Sequence, residues 1–110
     1  METRPSDDLP SAAWVIDPVF GRQVRVPDRA FRKIAASHHD VAHLSRRDLL
    51  IAIASADISL PDPERPQRHR YFYAGMGPSR WICVVVAYDH LGRGEAFNAF
   101  ACRRIPGRSR

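Results

Sequence analysis

The residues with the most chemical potential gather in one short stretch, 31–41. Apolar side chains fall at Phe31, Ile34 and Ala35, and His38 continues the series i, i+3, i+4, i+7. That spacing predicts a helix whose core-facing stripe ends on a titratable imidazole. Lys33, the only lysine in the chain, lies on the same helix. An imidazole beside an ammonium can serve proton transfer on an anionic substrate. The alternative is a half-buried structural histidine at a helix end. His39 and His43, four apart with Asp40 between them, have the spacing of a metal pair if the helix continues, but no further ligand follows. The strand-like run Arg68, Arg70, Tyr71, Tyr73 has the composition of a basic-aromatic platform on which RNA bases stack. Aromatic residues in a strand serve core packing more often.

The elements that position these groups follow from the rest of the chain. Hydrophobic content of 45% and charged content of 26% are those of an ordinary globular chain, and 110 residues suit one core. No apolar run is long enough for a membrane helix. Residues 1–11 are acidic and Pro-containing, read as disordered, without the pattern of a signal peptide. A cytoplasmic location is the expectation. The net charge is +5, the pI is about 10.0, and nearly all of the positive charge is arginine. Arginine forks match phosphate geometry, so a basic domain of this size invites a nucleic-acid reading; the alternative is a coding bias toward arginine on a solvated surface. Cys83 and Cys102 form no CxxC pair, so they read as free, buried thiols. Neither a cofactor nor a metal is expected.

Residues 13–17 and 23–26 read as two short strands around a Pro-Val-Phe-Gly turn, with Asp28 as N-cap of the first helix. Ser45 restarts a helix with Asp48 three residues on, a capping-box pattern, and Leu49, Ala52, Ile53 and Ala56 form its buried stripe. Pro61, Pro63 and Pro66 predict an extended loop. Residues 68–74 alternate as a strand, with Arg68, Arg70 and Phe72 on one face and His69, Tyr71 and Tyr73 on the other. The run 81–88 predicts a central strand buried on both sides, and 95–102 the last strand. The order β-β-α-α-β-β-β predicts an α+β fold. Its expected form is a small antiparallel sheet with two helices packed on one face. The expected domain spans residues 12–103, followed by a basic tail, 104–110, with Arg103 just before it.

Asp17-Pro18-Val19-Phe20-Gly21-Arg22-Gln23-Val24, the helix after it and His38-His39-Asp40-Val41 resemble the phage-associated nucleases of the barnase/EndoU/colicin/RelE-like superfamily. The resemblance covers about residues 14–102. On it, Lys33-Ile34 occupies a His-Ile step and His38-His39-Asp40 a His-Pro-Glu step. Arg70 with Tyr71, Phe72 and Tyr73 occupies an arginine-aromatic strand, and Asn98-Ala99-Phe100 a Thr-Ala-aromatic step. The resemblance implies a barnase/RelE-like fold and a metal-independent endoribonuclease of phage or mobile-element origin. Such a protein acts as a toxin or effector, countered by a cognate antitoxin or immunity protein. It makes His38 a base or acid, Lys33 and Arg70 electrostatic clamps, and Asn98 or Tyr73 a positioning donor. Arg68, Tyr71, Tyr73, Arg103 and Arg104 would meet the RNA. Lysine, Asp40 and Asn98 stand where this pattern has histidine, glutamate and threonine. Those departures keep two other readings open: a catalytically inactive RNA- or protein-binding domain on the same fold, and a phage accessory domain.

Overall fold

The computed structural model describes residues 13–105; the expected disorder of residues 1–11 and most of the basic tail lie outside the described residues. Strands β1 (Trp14–Ile16) and β2 (Gln23–Arg25) form an antiparallel hairpin. Asp17 N–H bonds to the Arg22 carbonyl at 2.9 Å, and Gly21 takes the φ of 67° that this turn needs and that a side chain would resist.

Helix α1 (Asp28–Ser37) does not use Asp28 as its cap. Pro27 holds that position because its φ of −62° suits the extended residue at the helix start. Asp28 is the first helical residue, and its carboxylate pairs with Arg32 one turn on and with Arg46 at 3.8 Å. The helix ends at His38, whose backbone is extended, and a single 3-10 turn (His39–Val41) follows.

Helix α2 (Arg46–Ala54) starts on the expected capping box. Ser45 Oγ accepts from Asp48 N–H at 3.1 Å, and Asp48 Oδ2 accepts from Ser45 N–H at 2.9 Å. Leu49, Leu50, Ala52 and Ile53 are buried, while Ile51 is turned outward.

Four more strands follow: β3 (Ile58–Pro61), β4 (Arg68–Ala74), β5 (Trp81–Tyr88) and β6 (Gly94–Cys102). The sheet order is β1-β2-β6-β5-β4-β3. Strand β5 is central, paired antiparallel to β4 and β6 along its length, as its unbroken apolar run predicts.

Two expectations need correction. Residues 58–61 form a strand that the expected order lacks, and Pro61, read as the start of the loop, ends this edge strand, the place in a sheet where a missing N–H is tolerated. The sheet is also mixed rather than antiparallel, because β2 runs parallel to β6 through Val24↔Gly94 and Arg25↔Glu95.

One face of the sheet carries both helices. Ile34, Leu49 and Ile53 pack there with Val24, Tyr71, Ile82, Val84, Val86 and Ala99. The other face holds a smaller cluster, Phe72, Cys83, Val85 and Ile105, flanked by Trp81, Phe97 and Phe100. Ile105, read from sequence as tail, is therefore packed. The sheet curls: Phe20, beyond β1, lies 5.1 Å ring to ring from His69 on β4, although three strands lie between β1 and β4 in the sheet order.

Candidate functional site

Strand β6 is an inner strand for only part of its length. Beyond Glu95 it has β5 on one side and no strand on the other, so an open edge begins there. Unpaired strand edges attract other chains and are usually covered. Here α1 and the 3-10 turn lie along it. Ala101 N–H donates to Asp40 Oδ2 at 3.1 Å, and Ala99 N–H donates to Asn98 Oδ1 at 3.0 Å.

Between α1 and this edge lies a cleft of ≈ 280 Å³ lined by Lys33, Ile34, Ser37, His38, Phe97 and Asn98. Lys33 and Ser37 are one helical turn apart, and His38 closes the helix end. The His38 ring stands 6.3 Å from that of Phe100, tilted by 48°. Because Oδ1 of Asn98 is held by the backbone, its NH₂ is the group presented as a donor. The cleft thus assembles an ammonium, an imidazole, a hydroxyl and an amide, which together fit an anion with oxygen acceptors.

Three of the four residues that the resemblance makes catalytic, Lys33, His38 and Asn98, line this one cleft. Arg70 does not. It stands on β4 opposite Val85, with its guanidinium 3.5 Å from Asp62. That carboxyl is held below the usual carboxylate range, chiefly by the Glu64 N–H, against the opposing effect of burial and with help from Arg70.

The basic-aromatic strand is divided by its own alternation. Tyr71 is fully buried and Tyr73 half-buried on the helix-covered face, while Arg68 lies on the other, its guanidinium 4.5 Å above the Phe97 ring. Buried Tyr71 is closed to a base, so the stacking platform read from β4 alone does not exist. Arg103 and Arg104 are exposed after β6.

The metal reading of residues 39–43 meets a similar division. Asp40 is engaged by Ala101, and His43 Nε2 lies 2.9 Å from the Met76 carbonyl oxygen. Among the described residues, no three of His, Cys, Asp and Glu come together in an arrangement that could hold a metal ion.

A second polar group was missed in the sequence. Asp17, 1% exposed, accepts from the N–H groups of Val19, Phe20 and Arg22 at 2.6–2.9 Å. Burial alone would raise its pKa; these donors and the Tyr71 hydroxyl outweigh it and hold the carboxyl below its ordinary value. The Tyr71 and Tyr88 hydroxyls are 2.6 Å apart. Burial raises both, Tyr88 to about 12. His69, buried beside them, is pushed down by desolvation despite the charge of Asp17. Its Nε2 has no hydrogen-bond partner among the described residues. Phe20 and Arg22 cover the group from outside. The cluster ties the β1–β2 turn to β4 and β5 and explains the curl. Only the Asp-Pro start of the turn hinted at it in the sequence.

Cys83 and Cys102 are free thiols; burial pushes Cys83 up to about 12 and raises Cys102 as well.

Comparison with known protein families, with curated proteins and with solved structures finds no match for this chain.

Proposed function

We propose that the protein is a metal-independent endoribonuclease that works in the cleft between α1 and the β6 edge. The single observation that carries the reading is the meeting of Lys33, His38 and Asn98 in that cleft, from helix and strand positions 65 residues apart in sequence (Lys33 to Asn98). In the proposed reaction His38 takes the proton of a ribose 2′-OH. The 2′-oxygen bonds to the adjacent phosphorus, and the bond from phosphorus to the 5′-oxygen of the next nucleotide breaks. The Lys33 ammonium balances the charge that builds on the phosphoryl oxygens and supplies the proton to the leaving oxygen. The Asn98 NH₂ orients a phosphoryl oxygen. Products are a 2′,3′-cyclic phosphate and a free 5′-OH.

The resemblance drawn above supports the same reading and extends it to a toxin or effector role with a cognate inhibitor. The test is incubation with end-labelled single-stranded RNA in EDTA. Cleavage to a cyclic phosphate, lost in His38→Gln while RNA binding stays, is the expected outcome. Cleavage by His38→Gln at the parent rate overturns it. Growth arrest on expression, relieved by His38→Ala, checks the toxin role.

One observation favours a second reading, RNA binding without cleavage. The cleft holds one imidazole and no carboxylate, and Arg70 is turned to Asp62. Retained, salt-sensitive RNA binding by a parent protein that cleaves nothing would establish it.

A further inference from the structure

The register of β5 with β6 slips once. Val85 faces Asn98, but Val86 faces Ala96, so Phe97 is left without a partner in the ladder. An extra residue of this kind re-aims its own side chain, and such bulges occur next to working sites. The effect on Phe97 is specific. Its ring lines the cleft of Lys33, Ser37, His38 and Asn98, and it also lines a neighbouring cleft of ≈ 300 Å³ with Ala87, Tyr88, Asp89, Arg93 and Glu95. Phe97 is therefore the wall common to two cavities, each near the lower end of the size range of small-molecule sites. The Arg68 guanidinium lies 4.5 Å from the ring centroid and backs it with positive charge. Phe97 remains only half-buried, although it sits among apolar neighbours that could have enclosed it.

We infer that Phe97 is a nucleobase-stacking residue. The base of a nucleotide adjoining the phosphate held at Lys33 and Asn98 lies against the Phe97 ring and projects into the second cleft. This rests on the RNA reading above and adds the class of group that fills the second cleft: an unstacked base of single-stranded RNA. The chemistry is consistent with the surroundings. A ring face accepts any base, and an arginine behind it attracts the polyanion. Double-stranded RNA keeps its bases stacked on each other and presents no face to the ring.

The experiment measures binding of a short single-stranded oligoribonucleotide carrying one 2-aminopurine, whose fluorescence falls when the base stacks. The protein is the full chain in the His38→Gln background, which keeps the RNA intact. Three results are expected. Fluorescence is quenched on binding; an oligonucleotide of equal charge with an abasic site in place of the 2-aminopurine binds severalfold more weakly; Phe97→Leu binds roughly tenfold more weakly with an unchanged salt slope, and Phe97→Trp restores affinity. Lys33→Gln lowers the salt slope and keeps the quenching. Circular dichroism melting checks that each variant folds, and the abasic comparison on unaltered Phe97 decides the matter if Phe97→Leu does not. Tight binding with no quenching and no preference for a base over an abasic site overturns the stacking site and leaves the RNA reading standing. An absence of any RNA binding by the parent overturns both.

Discussion

Asp40 Oδ2 accepts the Ala101 N–H at 3.1 Å, a bond between residues 61 apart in sequence. It does two things at once. It satisfies a backbone donor on the open edge of β6, and it pins the 3-10 turn that begins one residue after His38. The aspartate that the resemblance aligned with a glutamate is thus a strut for the cleft and not one of its lining groups.

Asp40→Ala should cost about 1–2 kcal/mol of stability, because a partly buried N–H loses its acceptor. Asp40→Asn keeps an acceptor oxygen and should recover most of it. Urea unfolding measures the difference. If the strut also orients His38, RNA cleavage by Asp40→Ala falls at temperatures where the variant is still fully folded; unchanged cleavage confines Asp40 to stability.

Arg70 and Lys33 should part company in RNA binding. Arg70 is engaged by Asp62 away from the cleft, whereas Lys33 makes no ion pair among the described residues. Lys33→Gln is expected to lower the slope of log affinity against log salt by about one, the loss of a single phosphate contact. Arg70→Ala is expected to leave slope and affinity unchanged while lowering the unfolding midpoint, since it takes the paired guanidinium from Asp62, 9% exposed, and leaves that carboxylate to its backbone donor. A slope that falls equally in both variants would return Arg70 to the RNA surface.

Much of this architecture was legible in the chain. The valine run of β5, the Ser45–Asp48 box and the two faces of β4 each depend on local pattern, and each is present in the fold. What escaped depends on partners remote in sequence. Strand β3 hid behind Pro61 because an edge position cannot be recognised without knowing its neighbour. The β2–β6 pairing joins residues some 70 positions apart and leaves no periodic trace (Val24 to Gly94). Phe97 escaped for the same reason: a bulge belongs to a pair of strands, and residues 95–102 taken alone read only as a strand. Lys33 and His38 were visible as a helical pair, but the addition of Asn98 came from resemblance and that of Ser37 from geometry.

His69 gives the fold an acid-sensitive point. Burial holds its pKa below 6.5, although Asp17 pulls the other way; the phenols of Tyr71 and Tyr88 and the guanidinium of Arg22 also belong to this cluster. The unfolded chain therefore binds a proton more readily than the folded one. The stability that neutral His69 contributes is complete above about pH 6.5 and is lost as the pH falls through the lower folded value. Asp17 adds a separate loss only below its ordinary 3.8. His69→Leu, which removes a nitrogen without a hydrogen-bond partner among the described residues, is expected to flatten the dependence over the range below about pH 6.5. Thermal unfolding across that range measures it, and an undiminished slope would place the acid sensitivity elsewhere.

The parallel pairing of β2 with β6 hangs on one missing side chain. Gly94 faces Val24 across the β2–β6 junction, and a Cβ there would come within 2.7 Å of Tyr88 Cε1, 2.9 Å of Val86 Cγ1 and 3.0 Å of Val24 Cγ2. Two of these three contacts belong to fully buried valines that cannot move without disturbing the core. The third belongs to the ring bonded to Tyr71. Gly94→Ala is therefore expected to cost about 1–3 kcal/mol by overpacking, although alanine is otherwise the better residue in a strand. The loss should be coupled to the junction: Val24→Ala in the same chain opens space beside position 94 and should recover part of it. Urea unfolding of the two single variants and the double variant gives the coupling. Strict additivity would mean that the added methyl is accommodated toward Tyr88 and that the parallel pair is not what Gly94 protects.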